Sequence, residues 1–588
     1  MFKLLRRFNK REYSMIVIST VFIAAQVWLE LKIPDYMTQI TNALGTRGST
    51  TMDILKPGSI MLGLSILSMI SAVIVGYFAA RVAAGFSARL RGNVFNQVMD
   101  YSTEDINQFS IPSLLTRSTN DITQIQQFIA MGLQVIIKAP IMAVWAITKI
   151  ANKGWQWTMA TGIAVLLLVV MLTFVLVLVQ PRFKIVQRLT DALNQTTREN
   201  LSGLRVVHAF NAENFQNKKF DQANDRLTST NLFANRVLAL MNPVMTLISN
   251  GLTLAVYAIG AILIENAAMG VGRLTLFSNM IVFSSYAMQV ILAFLLLSII
   301  FVILPRVTVS AGRVNNVLAV RPGIHYETKT KAPIRSKGTV EFQDVSFKFK
   351  DAEANAIEHL SFKAEPGQTI AFIGSTGSGK STVLNLLARQ ADVTSGRILV
   401  DGVDIRDYSE SDLNNLMGYI PQKAVLFSGT VRSNIDFGEN ARAKKMTDQT
   451  IYAALDIAQA RDFIDADERG LDAPVAQHGD NFSGGQKQRL AIARAIARDP
   501  EILMFDDSFS ALDYATDRQL RDALKKDRRQ TTKLIVAQRI STIMDADQIV
   551  VLENGWVAGK GTHEALLKNN QVYQEIAYSQ LSKEELAE

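Results

Sequence analysis

The sequence predicts an α-helical membrane domain of six spans followed by a soluble α/β domain. Three observations carry that prediction. Four runs without Asp, Glu, Lys or Arg, at 57–80, 158–180, 237–264 and 274–305, each exceed the roughly 20 residues that cross a bilayer core as a helix. Charge reverses along the chain: residues 1–320 hold 27 Lys and Arg against 14 Asp and Glu, whereas 321–588 hold 34 against 39. Beyond residue 340 the long apolar runs give way to short β-rich stretches alternating with helices, the pattern of a parallel sheet with crossover helices.

Composition narrows the function classes. The 588 residues are 48% hydrophobic and 19% charged, where a soluble globular protein carries about 25% charged residues. There is no cysteine, which excludes disulfides, a thiolate zinc site and a cysteine nucleophile. A basic apolar half joined to a mildly acidic soluble half argues against a nucleic-acid binder, which concentrates its basic charge on the soluble part.

Taken in order, the spans are expected near 14–36, 57–80, 126–149, 156–180, 243–265 and 274–304. The first is short and followed by Glu30 and Lys32, and the third contains Lys138. The N-terminal Lys3, Arg6, Arg7, Lys10 and Arg11 favour a cytoplasmic start. Six spans then return the second half to the same side, so the chain reads as multi-pass in the cell membrane with both termini cytoplasmic. A cleavable signal peptide fits less well, because no small-residue cleavage site follows the first apolar run. External loops fall at 37–56, 150–155 and 266–273. The long internal loops, 81–125 and 181–242, look helical and amphipathic. Strands alternating over about ten residues, as in a membrane β-barrel, are not seen. The expected domains are therefore 1–320 in the membrane, a Pro- and Gly-containing linker at 321–340, and a soluble domain at 341–588.

In the soluble domain, TIAFIG is strand-like and VLNLLA is an apolar helix. Between them, Gly374, Ser375, Thr376, Gly377, Ser378, Gly379, Lys380 and Ser381, followed by Thr382, fit GxxxxGK[ST]. The glycines let successive backbone N–H groups face a phosphate, and the following helix offers its positive dipole end. Lys380 is placed to neutralise the outer phosphates of ATP and the Ser381 hydroxyl to hold Mg2+. Further on, EILMFDD is a buried-strand pattern ending in Asp506 and Asp507. Alone it reads as a solvated strand end; beside a phosphate loop, Asp506 is well placed for Mg2+.

Between those motifs, Asn481-Phe482-Ser483-Gly484-Gly485-Gln486 resembles the LSGGQ signature of ABC transporter ATPases, with Phe482 in place of Leu. Gln422 in YIPQ resembles the Q-loop glutamine, which the family places near the metal. Ser510 to Asp513 resemble the D-loop, and Phe349 stands where the family has an adenine-stacking aromatic. FSIPSLLTRSTNDI (109–122) and ENLSGLRVVHAFNAE (199–213) resemble the intracellular loops of ABC exporters. The resemblance covers almost the whole chain and implies an exporter half-transporter. Its soluble half would be an α/β P-loop (RecA-like) ATPase domain with a helical subdomain. In this family two ATPase domains pair head to tail, so Ser483, Gly485 and Asp513 would act in trans on the partner's nucleotide, with Gly484 and Gln486 in the same nucleotide-binding signature. Short helices near 107–115 and 209–217 would dock on ATPase domains; without the resemblance they read as amphipathic stalk.

Three positions depart from the family pattern. Asp507 replaces the usual Glu, Gln538 replaces the usual His, and Ala476-Gln477 replace Gly-Glu. Asp is shorter than Glu by one carbon–carbon bond, about 1.5 Å, and Gln cannot carry positive charge. The pattern resembles the degenerate-site subunit of heterodimeric bacterial multidrug exporters. It implies a second, non-identical half-transporter as partner, with hydrolysis mainly at the partner's site, and export of lipophilic small molecules out across the cell membrane. A homodimeric lipid or peptide exporter, or an ATP-gated membrane regulator, is the alternative. In the sixth span Phe277, Met280, Phe283, Tyr286, Met288 and Phe294 could meet lipophilic cargo or serve only packing and lipid contact. Near the membrane interior, Glu30, Lys32 and Lys138 either reach the interface or have a function.

Overall fold

A computed structural model of the chain describes residues 4, 6–46, 48–151, 154–267, 271–327, 330, 337–350, 352–438 and 445–581. Lys3, residues 328–329 and 331–336 of the expected linker, and parts of the three loops expected to be external (47, 152–153 and 268–270) lie outside the described residues. The chain separates into two compact units, residues 1–99 with 110–320, and residues 100–109 with 321–588.

The first unit is helical. Its long helices are α1 (Lys10–Gly45), α2 (Thr51–Met99), α3 (Asn120–Ala151), α4 (Trp155–Ser202), α5 (Met241–Glu265) and α6 (Val271–Ala319). Among the described residues six helical stretches are long and apolar enough to cross a membrane, each on one of the expected spans. Leu62, Leu166, Val177 and Leu254 stay more than 60% exposed on these helices, as expected of helices whose solvent is lipid. The inner faces pack Val27 and Leu31 of α1, Met142 of α3, Trp157 of α4, Val256 of α5, and Phe283, Tyr286 and Val290 of α6 into one cluster. The Trp157 indole donates to Val256 O at 3.1 Å, so a buried polar group is satisfied across α4 and α5. In α6, Met280, Phe283 and Tyr286 are packing residues of this cluster, while Phe277 and Met288 are exposed.

Ionisable residues of the expected spans are paired. Lys138 Nζ donates to Glu30 Oε1 at 2.9 Å, and the Gln26 amide donates to the same oxygen at 2.8 Å. Lys149 and the Tyr286 hydroxyl both donate to Asp35, at 2.7 Å each. Pairing offsets the cost of charge at low dielectric.

The long loops expected to be internal are helical, with breaks the sequence reading misplaced. Short helices run at Thr103–Asn107 and Ile111–Ser118, so 107–115 straddles a break. Ser102 and Ser110 cap the two N-termini and Pro112 sits in the first turn of the second, which fixes the boundary. Residues 100–109 group with the second unit: the Asp105 carboxylate accepts from Gly323 N at 2.9 Å. In the other loop the short helix is Leu204–Ala209, followed by Glu213–Ala239. Its tip exposes Leu201, Val206, Phe210 and Phe215 at 60–79%.

The second unit holds the strands β1 (Val340–Phe347), β2 (Ile357–Ala364), β3 (Thr369–Gly374), β4 (Ser395–Val400), β5 (Val403–Asp404), β6 (Met417–Ile420), β7 (Gly429–Thr430), β8 (Pro474–Val475), β9 (Ile502–Asp506), β10 (Thr532–Val536), β11 (Gln548–Glu553) and β12 (Trp556–Gly561). Its main sheet has the order β12-β11-β3-β10-β9-β6, parallel except for edge strand β12. The parallel strands read as continuous buried runs, as expected where both faces are covered. A second, antiparallel sheet, β2-β1-β4-β5, goes beyond the expected parallel sheet. The inside–outside alternation of β2 from Leu360 to Ala364 is its sequence trace. Helices between β6 and β9 form a helical subdomain, where Asp448–Ile457 packs on α8 (Gly484–Ala497).

Candidate functional site

The phosphate loop joins β3 to α7 (Lys380–Leu387) at the C-terminal edge of the parallel strands. Gly377 and Gly379 adopt φ of +84° and +97°, which only glycine enters without strain. A Cβ on Gly379 would meet Ala356 O and Ile357 Cδ1 at 2.6 Å. Ser375, Thr376 and Gly377 are exposed at the rim, Ser378 is buried, and Ser381 and Thr382 are half-buried in the first turn of α7. The Ser378 hydroxyl is buried without a hydrogen-bond partner among the described residues. Lys380 Nζ donates to the loop carbonyls of Gly374 and Ser375 at 2.9 and 2.7 Å. Burial pulls the Lys380 pKa down, opposed by Asp507 and Asp506. The arrangement fits a nucleotide phosphate: it offers an open ring of backbone, an orphaned hydroxyl and a poorly solvated cation.

The carboxylates lie beside it. The Ser381 hydroxyl donates to Asp506 Oδ1 at 2.6 Å, bringing together the two oxygen ligands expected for Mg2+. Asp507 turns away from the strand at φ +48°, with its N–H on Val536 O. Its Oδ2 accepts from Gln422 Nε2 at 3.0 Å and from Gln538 Nε2 at 2.7 Å. Gln422 therefore sits on Asp507, not on the Ser381–Asp506 pair where it was expected as a metal ligand. Burial pushes the Asp507 pKa up, helped by Asp506 and opposed by hydrogen bonds from Gln422, Ser510 and Gln538. The sequence reading missed two residues here. The Tyr419 hydroxyl lies 3.4 Å from Asp506 Oδ2 and 3.3 Å from Asn385 Oδ1. Asn385 is four residues past Ser381 on one helix, a face-sharing spacing that could have found it.

The signature lies at the start of α8. Ser483 caps that helix: its Oγ accepts from Gln486 N at 3.3 Å while Gln486 Oε1 accepts from Ser483 N at 2.9 Å. Ser483 and Gly484 are exposed, and a Cβ on Gly485 would sit 3.3 Å from Ala511 O. Phe482 is half-buried against Phe463, with ring centroids 6.1 Å apart. Asp513 caps α9 (Tyr514–Asp527) by accepting from Thr516 N at 2.9 Å. Among the described residues no hydrogen bond joins Ser483 to Gln486 with the loop 374–381. Phe349 is 46% exposed and packs edge-on against Phe347 at 4.8 Å. Ala476 and Gln477 are exposed ahead of His478, which takes φ +58°.

Comparison with known proteins agrees with both units. Residues 16–294 match the ABC transporter transmembrane region and residues 357–510 match the ABC transporter model. An uncharacterized ABC transporter ATP-binding protein of Mycobacterium bovis is 39% identical over 537 residues, covering 91% of each chain. The YfiB ABC transporter ATP-binding protein of Bacillus subtilis is 35% identical, covering 90% of each. An ATP-dependent lipid A-core flippase of Vibrio vulnificus is 29% identical, covering 90% of this chain and 89% of its own. The fold is that of a bacterial Atm1-family ABC exporter solved with ATP bound, with a TM-score of 0.79, 24% identity, and 96% and 98% of the two chains covered. The chain therefore belongs to the ABC transporter family, as an exporter half-transporter that carries its six-span membrane domain and its ATPase domain on one polypeptide.

Proposed function

We propose that this chain is one subunit of a heterodimeric exporter of lipophilic compounds, whose own phosphate loop holds ATP at a slow site. It would lend its signature to a faster site built on a non-identical partner. The supporting observation is the state of Asp507. One of its two carboxylate oxygens, Oδ2, already accepts two amide hydrogen bonds. Burial makes this carboxyl more basic, so basicity is not what it lacks. It lacks reach, and one of its two oxygens is tied to amides; general-base catalysis depends on geometry before pKa.

Binding parts are complete by contrast. Lys380 would leave the carbonyls of Gly374 and Ser375 for the outer phosphates, and backbone N–H groups of 375–380 would cradle them. Phe349 would stack on the adenine. Ser381 and Asp506 would hold Mg2+, which would supply positive charge to neutralise the phosphates. In trans, Ser483 accepts one hydrogen bond as a cap, which leaves its hydroxyl proton to donate to a phosphate oxygen. The exposed apolar tip at 201–215 would dock on an ATPase domain and carry closure into the spans. Both termini would lie in the cytoplasm. The name of the Vibrio relative favours a second reading, a lipid exporter, which shares the lipophilic cargo.

The test is turnover. The chain purified alone in lipid nanodiscs should release phosphate slowly, and the complex co-purified from its native membrane should release it rapidly. Vigorous turnover by the chain alone, or co-purification of only a second identical copy, would overturn the reading.

A further inference from the structure

The loop that carries Gln538 is held from outside itself. Gln580 lies just past α10 (Gln571–Tyr578), and its carboxamide grips the backbone on both sides of Arg539. Gln580 Nε2 donates to Gln538 O at 2.7 Å, and Gln580 Oε1 accepts from Ile540 N at 2.9 Å. This loop joins β10 to the short helix Ile540–Ile543, whose N-cap residue Arg539 gives no side-chain cap. Gln580 thus satisfies backbone groups that the loop's own sequence leaves unserved. The grip is firmly based. Tyr573 and Ala577 of α10 are fully buried, and Asn570 caps the helix by accepting from Tyr573 N at 2.8 Å. The Tyr573 hydroxyl pairs with His563 Nδ1 at 2.7 Å, and Leu581 packs against the core. Gln580 and Leu581 also form one wall of an open cleft of about 530 Å³, whose other walls include Gln538 and Ser510.

We infer that Gln580 is a positioning residue for Gln538, and that docking of α10 is linked to retention of nucleotide at the phosphate loop. The inference rests on the reading of that loop as an ATP site. The contacts form a continuous relay: Gln580 fixes the backbone of 538–540, the fixed backbone aims the Gln538 amide, and that amide reaches Asp507 at 2.7 Å. A side chain holds a bond of that length only while its backbone stays in place. Without Gln580, Gln538 O and Ile540 N turn to water and the amide samples other rotamers. By linkage, whatever nucleotide gains from a fixed loop, α10 gains from nucleotide.

The experiment measures dissociation of radiolabelled Mg-ATP from the full chain in nanodiscs, for wild type, Gln580→Ala, Gln538→Ala and the double variant. Gln580→Glu serves as a second probe, since it keeps the acceptor for Ile540 N and sets a carboxylate oxygen against Gln538 O. Loss of the grip should speed dissociation about fivefold, the scale of one hydrogen bond. Gln580→Glu should match Gln580→Ala. The double variant should be no faster than Gln538→Ala alone, because the two residues act in series. Bound ATP should also slow amide exchange in α10 of wild type and not of Gln580→Ala. A wild-type rate for both Gln580 variants overturns the inference, as does an effect that multiplies with Gln538→Ala, which would show Gln580 acting on the domain at large. If wild type retains ATP no better than Lys380→Ala, the ATP reading falls and this inference falls with it.

Discussion

Asp507→Glu should make the chain faster and less stable at once. The added methylene carries the carboxylate about 1.5 Å further from the backbone. A misplacement near 1 Å costs about 10²-fold in rate, so restoring the reach should raise turnover at this site by about 10²-fold, or about 2.7 kcal/mol of barrier. The structure sets the opposing cost. Asp507 is 6% exposed and its Oδ2 is held at 3.0 and 2.7 Å by Gln422 and Gln538, so a longer side chain must displace both amides. Overpacking of that kind costs about 1–3 kcal/mol. The φ of +48° adds to it, because Asp tolerates left-handed backbone better than Glu. Phosphate release and thermal unfolding, measured on the full chain purified alone in nanodiscs, read the two effects separately. A folded variant with unchanged turnover would show that reach does not limit this site.

Gly379→Ala should unfold or cripple the phosphate loop, with a loss of about 2 kcal/mol or more, because its Cβ would meet the fixed carbonyl of Ala356 at 2.6 Å at a φ of +97°. Thermal unfolding and Mg-ATP binding check it; wild-type values for both would contradict the geometry. Lys138→Met should cost about 1–3 kcal/mol by stranding Glu30, less than for a fully buried pair because both partners are 22–27% exposed. Adding Glu30→Gln should recover most of the loss, and a double variant no more stable than the single would show that the pair is idle. Burial raises the pKa of both Asp401 and Glu501, and Asp401 raises that of Glu501 further. The folded state then binds protons more tightly than the unfolded one. Stability from these groups is full below the ordinary carboxylate range and is lost as pH rises through the raised values. Asp401→Asn keeps an oxygen for Thr339 N–H and removes the charge. It should flatten the fall in melting temperature as pH rises above the ordinary carboxylate range; an unchanged slope would refute the assignment.

The features legible in the sequence are those whose information is contiguous. A span is one unbroken apolar run, and a phosphate loop is eight residues whose chemistry is mostly backbone, so both can be read without knowing the fold. Lys380, Ser381 and Asp506 were placed for the same reason: a strand end and a helix start have a fixed geometry. Relations between distant residues were not legible. Nothing at position 30 announces Lys138, and nothing at 580 announces the loop at 538–540, since each pairing is set by how elements pack. Gln422 shows the same limit from the other side. Its place near the site was readable, but which of two adjacent carboxylates it would serve depended on Asp507 turning back through a left-handed residue. The break between 107 and 111 was readable in principle from Ser102, Ser110 and Pro112, whose capping chemistry is local.

The two departures from the family pattern at Asp507 and Gln538 are one structural unit. Asp507 and Gln538 are 31 residues apart in sequence and 2.7 Å apart in space, in direct hydrogen bond. A primary amide neither gives up nor takes a proton near neutral pH, and it donates in one fixed sense. Set against a shortened carboxylate that a second amide also engages, it forms a cluster suited to hold a water or a phosphate oxygen in place and poorly suited to move a proton. Binding and proton transfer are therefore separable within this domain, and a pair of variants can separate them. If reach alone limits the site, Asp507→Glu should supply most of the gain in turnover, and Gln538→His added to it should contribute less than about tenfold. If the missing titratable ring limits it, Asp507→Glu alone should stay near wild type and only the double variant should turn over, with a rate that follows imidazole titration near pH 6.5. Equal failure of both variants, with Mg-ATP still bound, would place the defect outside this pair. Ala476 and Gln477 ahead of the signature would then be the next residues to restore.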